Sequence, residues 1–455
     1  RADPVTGLFT DTIAAVATAP GVGAIAVVRI SGPQALEIAS RLSGRPQDRF
    51  IPRRATLAPV ISSDGGVADE ALYTYFAAPA SYTGEDVIEI SCHGGIATVR
   101  EVLQAVLGAG ARAAGPGEFT RRAFLNGRMD LAQAEAVNQL IRARTRTQLA
   151  AARQMLAGAL SRRLEDAWDR LTAIAAAIEA SIDFPEDVDE PDRAELAAAL
   201  DSLVRSLGES LELARRGRLL SQGIRLAIVG RPNVGKSSLL NLLAGRPRAI
   251  VSDIPGTTRD FLEETVEIGG LPVVAIDTAG IRETEDPLER EGTRRALEAL
   301  DQADVGLVVL DATQGVGPGD LEVLRAAGER AVAVWNKMDL VPVVPDAGGA
   351  PGDAVAISAL TGEGLEDLQR AILCRLGAGA GYFEEALSAS AHQVQLLEEA
   401  CEALRGAVSS VRSARAIDLA AVEIQRARSR VAGLLGKDVT ESLLDAIFGA
   451  FCIGK

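Results

Sequence analysis

The sequence predicts a multidomain chain of the α/β plus all-α class: an α/β or α+β domain comes first, followed by a discontinuous helical domain with a second α/β domain inserted in it. Three observations lead there. Short apolar runs alternate with helical stretches over residues 1–125 and again over 223–379. Residues 126–222 and 380–455 carry helical periodicity on either side of the second of these. At the start of 223–379, the glycine-bounded run Gly230-Arg231-Pro232-Asn233-Val234-Gly235-Lys236-Ser237-Ser238 joins an apolar strand, Ile224 to Val229, to a helix-forming segment, Leu239 to Ala244.

Composition narrows the class. With 455 residues, 47% hydrophobic and 24% charged, the chain reads as globular and long enough for two or three cores. No apolar run reaches the roughly 18 residues of a membrane span, and no signal peptide is expected before Asp11, so no membrane partner is expected. Cys92, Cys374, Cys401 and Cys452 are scattered without a C-x-x-C pair. A reducing, cytoplasmic setting is therefore expected, with neither a disulfide framework nor a zinc site. The net charge of −15 argues against a broad nucleic-acid-coating surface, so RNA contact would be local or supplied by another protein.

Over residues 1–125, Ile13 to Thr18, Ala24 to Ser31, Ala71 to Phe76 and Asp86 to Ser91 read as strands, with a Pro20-Gly21-Val22-Gly23 turn after the first. Helices are expected from Pro33 to about Leu42 and from Ile96 to about Leu107. Arg29 and Glu89 interrupt two strands. Each is either the outward residue of an alternating strand or part of a polar pocket for a small ligand. His93 beside Cys92 invites a metal assignment, but His392 is the only other histidine, and no metal is expected there. The run from Gly115 to Arg128 is too mixed for core and too ordered for a linker.

Residues 126–222 form the first helical part. No proline occurs from Asp130 to Asp183, and the stripes Leu131, Ala134, Val137, Leu140 and then Leu164, Trp168, Leu171 predict one long helix or a pair, ended by Phe184-Pro185. A further helix is expected from about Arg193 to Arg216. Arg142, Arg144, Arg146, Arg153, Arg162 and Arg163 make a locally basic stretch, a solvated face or an RNA contact. Residues 380–455 supply the second part: helices from Ala386 to about Ser409 and from Ile417 to about Leu435, a last one from Thr440, and the tail Phe451-Cys452-Ile453-Gly454-Lys455. Helical sequence on both sides implies one domain with an insertion whose ends lie close together. Cys452 is either an ordinary small hydrophobe or a thiol delivered to an active site. The Ile-Gly-Lys after it does not fit a prenylation box.

The chemistry concentrates in 223–379. Backbone N–H groups of the glycine loop and the positive end of the following helix cradle phosphate oxygens, so Asn233, Val234, Gly235, Lys236, Ser237 and Ser238 are nucleotide-binding candidates. Lys236 is expected to reach the β- and γ-phosphates and Ser237 to hold Mg2+. Asp277-Thr278-Ala279-Gly280 follows an apolar strand, with the aspartate placed for the Mg2+ shell and the glycine N–H for a γ-phosphate. Asn336-Lys337-Met338-Asp339 follows the strand Ala331 to Trp335; a carboxylate there accepts from the N1 and N2 donors of guanine, which adenine lacks. Ser358-Ala359 completes the base pocket through backbone N–H. Four motifs in this order, each at a strand's C-terminal end, specify a guanine-nucleotide switch of the Ras-like P-loop GTPase type. Ser252 to Asp260 lies where the first switch belongs, and Thr258 is the candidate second Mg2+ ligand. Ile281 stands where Ras-type enzymes have the glutamine that orients water, so another side chain must do so or hydrolysis is very slow.

Over essentially its full length the sequence resembles the MnmE (TrmE) family of tRNA-modification GTPases. The resemblance is carried by Asp11-Thr12-Ile13-Ala14-Ala15, Val28-Arg29-Ile30-Ser31-Gly32, Tyr82-Thr83-Gly84-Glu85-Asp86, His93-Gly94-Gly95, Pro116-Gly117-Glu118-Phe119-Thr120, Asp130-Leu131-Ala132-Gln133-Ala134-Glu135-Ala136, Ile182-Asp183-Phe184-Pro185 and the terminal Phe451-Cys452-Ile453-Gly454-Lys455. It implies a folate-binding and dimerising N-terminal domain, a homodimer, and a hetero-oligomer with an FAD-containing protein of the MnmG (GidA) family. Together these would add a carboxymethylaminomethyl-type group to C5 of the wobble uridine, position 34, of certain tRNAs. The one-carbon unit would come from 5,10-methylenetetrahydrofolate, with 5-formyltetrahydrofolate as its analogue. The resemblance further implies that two G domains meet across GTP, with K+ in place of an arginine finger. Asn233 would be the side-chain K+ ligand, joined by backbone oxygens of Ser252, Ile254 and Thr257, and Glu289 would position the attacking water. Arg29, Glu89, Arg128 and Lys455 would line the folate pocket, and Cys452 would be the functional thiol. Arg128, Val22 and Pro255 depart from the family's usual residues; Arg128 keeps the charge of a more usual lysine but changes its hydrogen-bond geometry. The rival reading is a non-catalytic GTP-dependent switch in ribosome or ribonucleoprotein assembly, which would need neither folate pocket nor thiol.

Overall fold

The computed structural model describes residues 9–245, 264–277, 297–344, 354–379, 381–413 and 417–455. They divide into two compact units, one drawn from Arg1–Asn138, Met155–Gly208 and Gln395–Lys455, the other from Gln139–Gln154 and Glu209–Val394.

In the first unit, β1 (Ile13–Val16), β2 (Ile25–Ser31), β3 (Ala55–Ile61), β4 (Val67–Phe76), β5 (Val87–His93) and β6 (Arg112–Ala113) form a sheet in the order β3-β4-β5-β2-β1-β6. Alternation sets its faces. Val28, Ile30, Tyr73, Ile88 and Ile90 join a core with Ile38 and Val102 of the helices Ala35–Ser43 and Ile96–Gly108. The intervening positions form the other face, where Ile25, Leu57 and Leu72 are exposed. β3 was not among the strands expected from the sequence; it carries Pro59, a residue with no N–H to donate that an edge strand can accommodate.

The mixed run at 115–128 is a helix, Glu118–Leu125, built around an ion-pair hub. Arg122 is fully buried; its Nη2 lies 2.8 Å from Asp11 Oδ1 and its Nη1 3.2 Å from Glu85 Oε1. Arg112 Nη2 bridges Asp11 and Glu118 at 2.6 Å each. A buried guanidinium is tolerable only with such partners. Burial pushes the Asp11 and Glu118 carboxyls up, but the two arginines outweigh it and hold both below the ordinary range.

Residues 130–183 form three helices, Leu131–Arg142, Arg146–Leu156 and Ala159–Asp183, rather than one or two. The breaks have local causes. Thr145 and Gln148 form a capping box, each backbone N–H bonding the other's side chain at 3.1 Å. Asp130 with Gln133 does the same for the helix before, and Gly158 takes a left-handed φ of 78° ahead of the helix after. From the far side of the insertion, Ile417–Leu435 packs along Ala159–Asp183, and Glu441–Gly449 packs on Glu118–Leu125. A bridge between Pro116 and Ile453 then brings the C-terminus to the start of the unit.

In the second unit, β7 (Ile224–Val229), β8 (Glu264–Ile268), β9 (Leu271–Asp277), β10 (Val305–Asp311), β11 (Ala331–Asn336) and β12 (Val355–Ala356) form a sheet in the order β12-β11-β10-β7-β9-β8. All pairs are parallel except β8–β9. Leu226, Ile228, Leu307 and Val334 enter one core, and Ala227, Val229, Val308 and Trp335 another. Burial on both faces is why these strands read as unbroken apolar runs. The helix Arg146–Leu156 contributes Ala151 to the first of these cores. Thr145 Oγ1 donates to Gly270 O at the β8–β9 turn (2.9 Å), and Gln148 Nε2 to Leu220 O (2.7 Å).

Candidate functional site

The glycine loop leaves the end of β7 and enters the helix Lys236–Leu243. Asn233 adopts φ 63° and Gly235 φ 98°. A Cβ on Gly235 would stand 2.2 Å from Asn336 Nδ2, so glycine is what lets the end of β11 approach. Lys236 Nζ donates to Gly230 O (3.0 Å) and Arg231 O (2.8 Å), an ammonium held at the loop's own backbone. Ser237 and Ser238 are exposed on the first helical turn, where a hydroxyl oxygen suits a hard cation such as Mg2+. The amide oxygen of exposed Asn233 is the same kind of donor.

Asn336 ties the loops together. Its Nδ2 donates to Val234 O at 2.8 Å and its Oδ1 accepts the Ala359 N–H at 2.9 Å. Ser358 Oγ donates to Asp339 Oδ1 at 2.7 Å, which orients an exposed carboxylate. Lys337 Nζ lies 2.7 Å from Oδ2 of buried Asp311. Burial pushes that carboxyl up, but Lys337 and Thr313 outweigh it and hold it below the ordinary range. The sequence reading passed over Asp311, although it ends an apolar strand just as Asp277 does. Of the other expected residues, Ser252, Ile254, Thr257, Thr258, Thr278, Ala279, Gly280 and Glu289 lie outside the described residues, as does the side chain of Asp277.

A second cluster lies on the first sheet. The β2–β5 register sets Arg29 opposite Glu89, and Arg29 Nη2 donates to Glu89 Oε1 at 2.8 Å. The guanidinium also stacks 5.3 Å from the Tyr82 ring and donates from Nη1 to Gly454 O at 3.4 Å. Burial lowers the pKa of the Lys455 ammonium, and so does Arg29; Glu89 and Cys452 oppose them. Cys452 is exposed. Arg128 is exposed too, packed at the Gly84 turn, and makes no ion pair among the described residues. Three of the four expected pocket residues are thus brought together, with Arg128 on an adjoining loop. His93 instead pairs with Asp69 (2.8 Å), and no metal-holding group of three or more His, Cys, Asp or Glu exists among the described residues.

Two family models match, the MnmE helical domain over residues 131–452 and the GTP-binding protein TrmE N-terminus over residues 12–128. The tRNA modification GTPase MnmE of Symbiobacterium thermophilum is 46% identical, covering 98% of this chain and 99% of its own. That of Moorella thermoacetica is 44% identical, covering 98% and 100%. The chain belongs to the MnmE family of tRNA modification GTPases. Among solved structures, Era bound to MgGDPNP and a 16S ribosomal RNA segment is 31% identical over 40% of this chain and 66% of its own, with a TM-score of 0.28. The G domain of Thermotoga maritima FeoB is 26% identical over 34% and 98%, with a TM-score of 0.25. The MnmE helical match brackets β7–β12, in keeping with a helical domain interrupted by a GTPase sheet. Among the described residues no helix is long and apolar enough to cross a membrane.

Proposed function

We propose that this chain is a K+-dependent GTPase, activated when two G domains meet, that works with an FAD-containing MnmG-family partner. The pair adds a carboxymethylaminomethyl-type group to C5 of the wobble uridine of certain tRNAs, using a tetrahydrofolate one-carbon unit. One observation carries the reading: a single chain holds a guanine-nucleotide loop set and a separate Arg29–Glu89–Lys455 cluster closed by its own C-terminus. A mere switch has no use for the second.

On GTP binding, Lys236 exchanges its two loop carbonyls for phosphate oxygens. Ser237 and Thr258 would hold Mg2+; Asn233 with the backbone oxygens of Ser252, Ile254 and Thr257 would hold K+. Held there, the cations would supply charge neutralisation for the transferred phosphoryl group. Glu289 orients the water that Ile281 cannot. Asp339 accepts from guanine N1 and N2, and the Ala359 N–H completes the base pocket on exchanging Asn336 Oδ1 for the base. In the other unit Arg29, Glu89, Arg128 and Lys455 grip the folate, an anion beside which the Lys455 ammonium is again favoured. Cys452 supplies the thiol. Exposed Ile25, Leu57 and Leu72 on the second sheet face support a homodimer through the first 125 residues. A cytoplasmic location fits these partners.

The experiment is mass analysis of wobble uridines in a strain lacking this chain, complemented with wild type or Cys452→Ser. Modification should vanish on deletion, return with wild type and fail to return with the variant. Normal wobble uridines in the deletion strain would sink the proposal.

A further inference from the structure

The guanidinium of Arg231, second in the phosphate loop, is engaged away from that loop. Its Nη2 donates to Gly315 O at 2.6 Å, and its Nε lies 2.8 Å from Asp320 Oδ2. Asp320 is nearly sealed from solvent, with 2% of its side chain exposed, and the same oxygen accepts the Gly317 N–H at 2.9 Å. At the other end of this segment Asp311 holds Lys337 at 2.7 Å. Residues 311–320 therefore join the base loop and the phosphate loop, with one ion pair at each end. The Arg231 carbonyl, meanwhile, accepts from the Lys236 ammonium.

We propose that Arg231 and Asp320 are a positioning pair for GTP and GDP binding. They fix the entrance of the phosphate loop relative to the base loop without touching the nucleotide. Asn336 ties the two loops directly at Val234; the Arg231–Asp320 pair ties them a second time, through the 311–320 segment and on the opposite side of Asn233 in sequence. A loop held at both ends loses less freedom when it closes on phosphate, and that difference is read as affinity. The pair acts as a unit because either partner alone leaves the other's contacts incomplete, Asp320 more severely since it is buried.

The inference rests on the loop being the nucleotide site, which binding of mant-GDP to the wild-type chain checks separately. The test is equilibrium and stopped-flow binding of mant-GDP and mant-GTPγS to full-length Arg231→Ala, Asp320→Asn and the double variant. Asp320→Asn retains an acceptor for Gly317 N–H and so preserves the helix start. Each single variant should weaken both nucleotides together by about five- to twentyfold, mostly through faster dissociation, and the double should be no weaker than the worse single. Thermal midpoints without nucleotide register any purely structural cost. Lower midpoints with wild-type affinities, or single effects that multiply in the double, would overturn the positioning pair. No mant-GDP binding by folded wild type would instead remove the site beneath it.

Discussion

The two candidate sites are assembled on different plans. In the GTPase unit, the site residues stand at or just beyond the C-terminal ends of parallel strands: Lys236 after β7, Asn336 to Asp339 at the end of β11, Ser358 and Ala359 after β12. A parallel sheet gathers such ends along one edge, so each short motif is already a piece of the site. In the other unit, Arg29 and Glu89 sit mid-strand on antiparallel neighbours and meet through register. Their cluster closes only when Gly454, 425 residues away, reaches Arg29. One site is a set of local motifs brought together by topology. The other exists only once the two ends of the chain have met.

The largest expected effect lies in the local-motif site. Asp339 is oriented by Ser358 and its carboxylate stays exposed, suited to two donors from guanine. Asp339→Asn replaces a pure acceptor with a mixed donor and acceptor. GTP affinity should fall by about 100-fold or more, the worth of two charge-assisted hydrogen bonds. Xanthosine triphosphate, which carries a C2 carbonyl in place of the amino group, should then compete better than GTP against mant-GDP. A variant that still prefers GTP would show that base reading does not reside in this motif.

A smaller effect is expected where the site depends on chain ends. Gly454 has φ 93°, and a Cβ there would stand 2.2 Å from Val16 O. Gly454→Ala must therefore shift the tail, withdrawing both the carbonyl on Arg29 and the Lys455 ammonium. Tetrahydrofolate binding, followed by calorimetry, should weaken by about tenfold, and the GTP affinity of the same preparation serves as control. Unchanged folate binding would mean that the cluster does not need the terminus, and the contrast between the two sites would collapse.

The same contrast explains which features are legible in the sequence alone. The loops after β7, β11 and β12 were legible because glycine spacing, strand ends and motif order are all local. Thr145-x-x-Gln148 and Asp130-x-x-Gln133 were equally local, yet the apolar stripes running past them suggested fewer helices than there are. Arg29 and Glu89 stood out as charges inside strands, but nothing in either strand reveals that they face each other; that requires the register of β2 against β5. Arg122 was illegible for a stronger reason. An arginine in a mixed run looks solvated, and only the convergence of Asp11 and Glu85 from separate segments, joined by Glu118 one turn earlier on its own helix, makes its burial tolerable. β3 carries Pro59, and a missing N–H is tolerated at a sheet edge where that position faces away from the neighbouring strand.

The smallest expected effect tests whether that hub supports the end-dependent site, since it holds the helix whose leading Pro116 pairs with Ile453. Asp11 and Glu118 have folded pKa values below their ordinary ones. The folded state thus binds their protons less readily than the unfolded chain. Their contribution is fully present above the usual carboxylate range, near pH 4, and is lost as pH falls through the lowered folded values. Arg112 is half exposed, so Arg112→Ala should lower the thermal midpoint at pH 7 by only about 2–4 °C. It should also shrink the drop in midpoint between pH 7 and pH 3, because Asp11 and Glu118 then lose the part of their lowering that Arg112 supplies, while Arg122 still pairs with both. An acid-induced drop as steep in the variant as in wild type would mean that other carboxylates govern it and that the tail is anchored independently of this cluster.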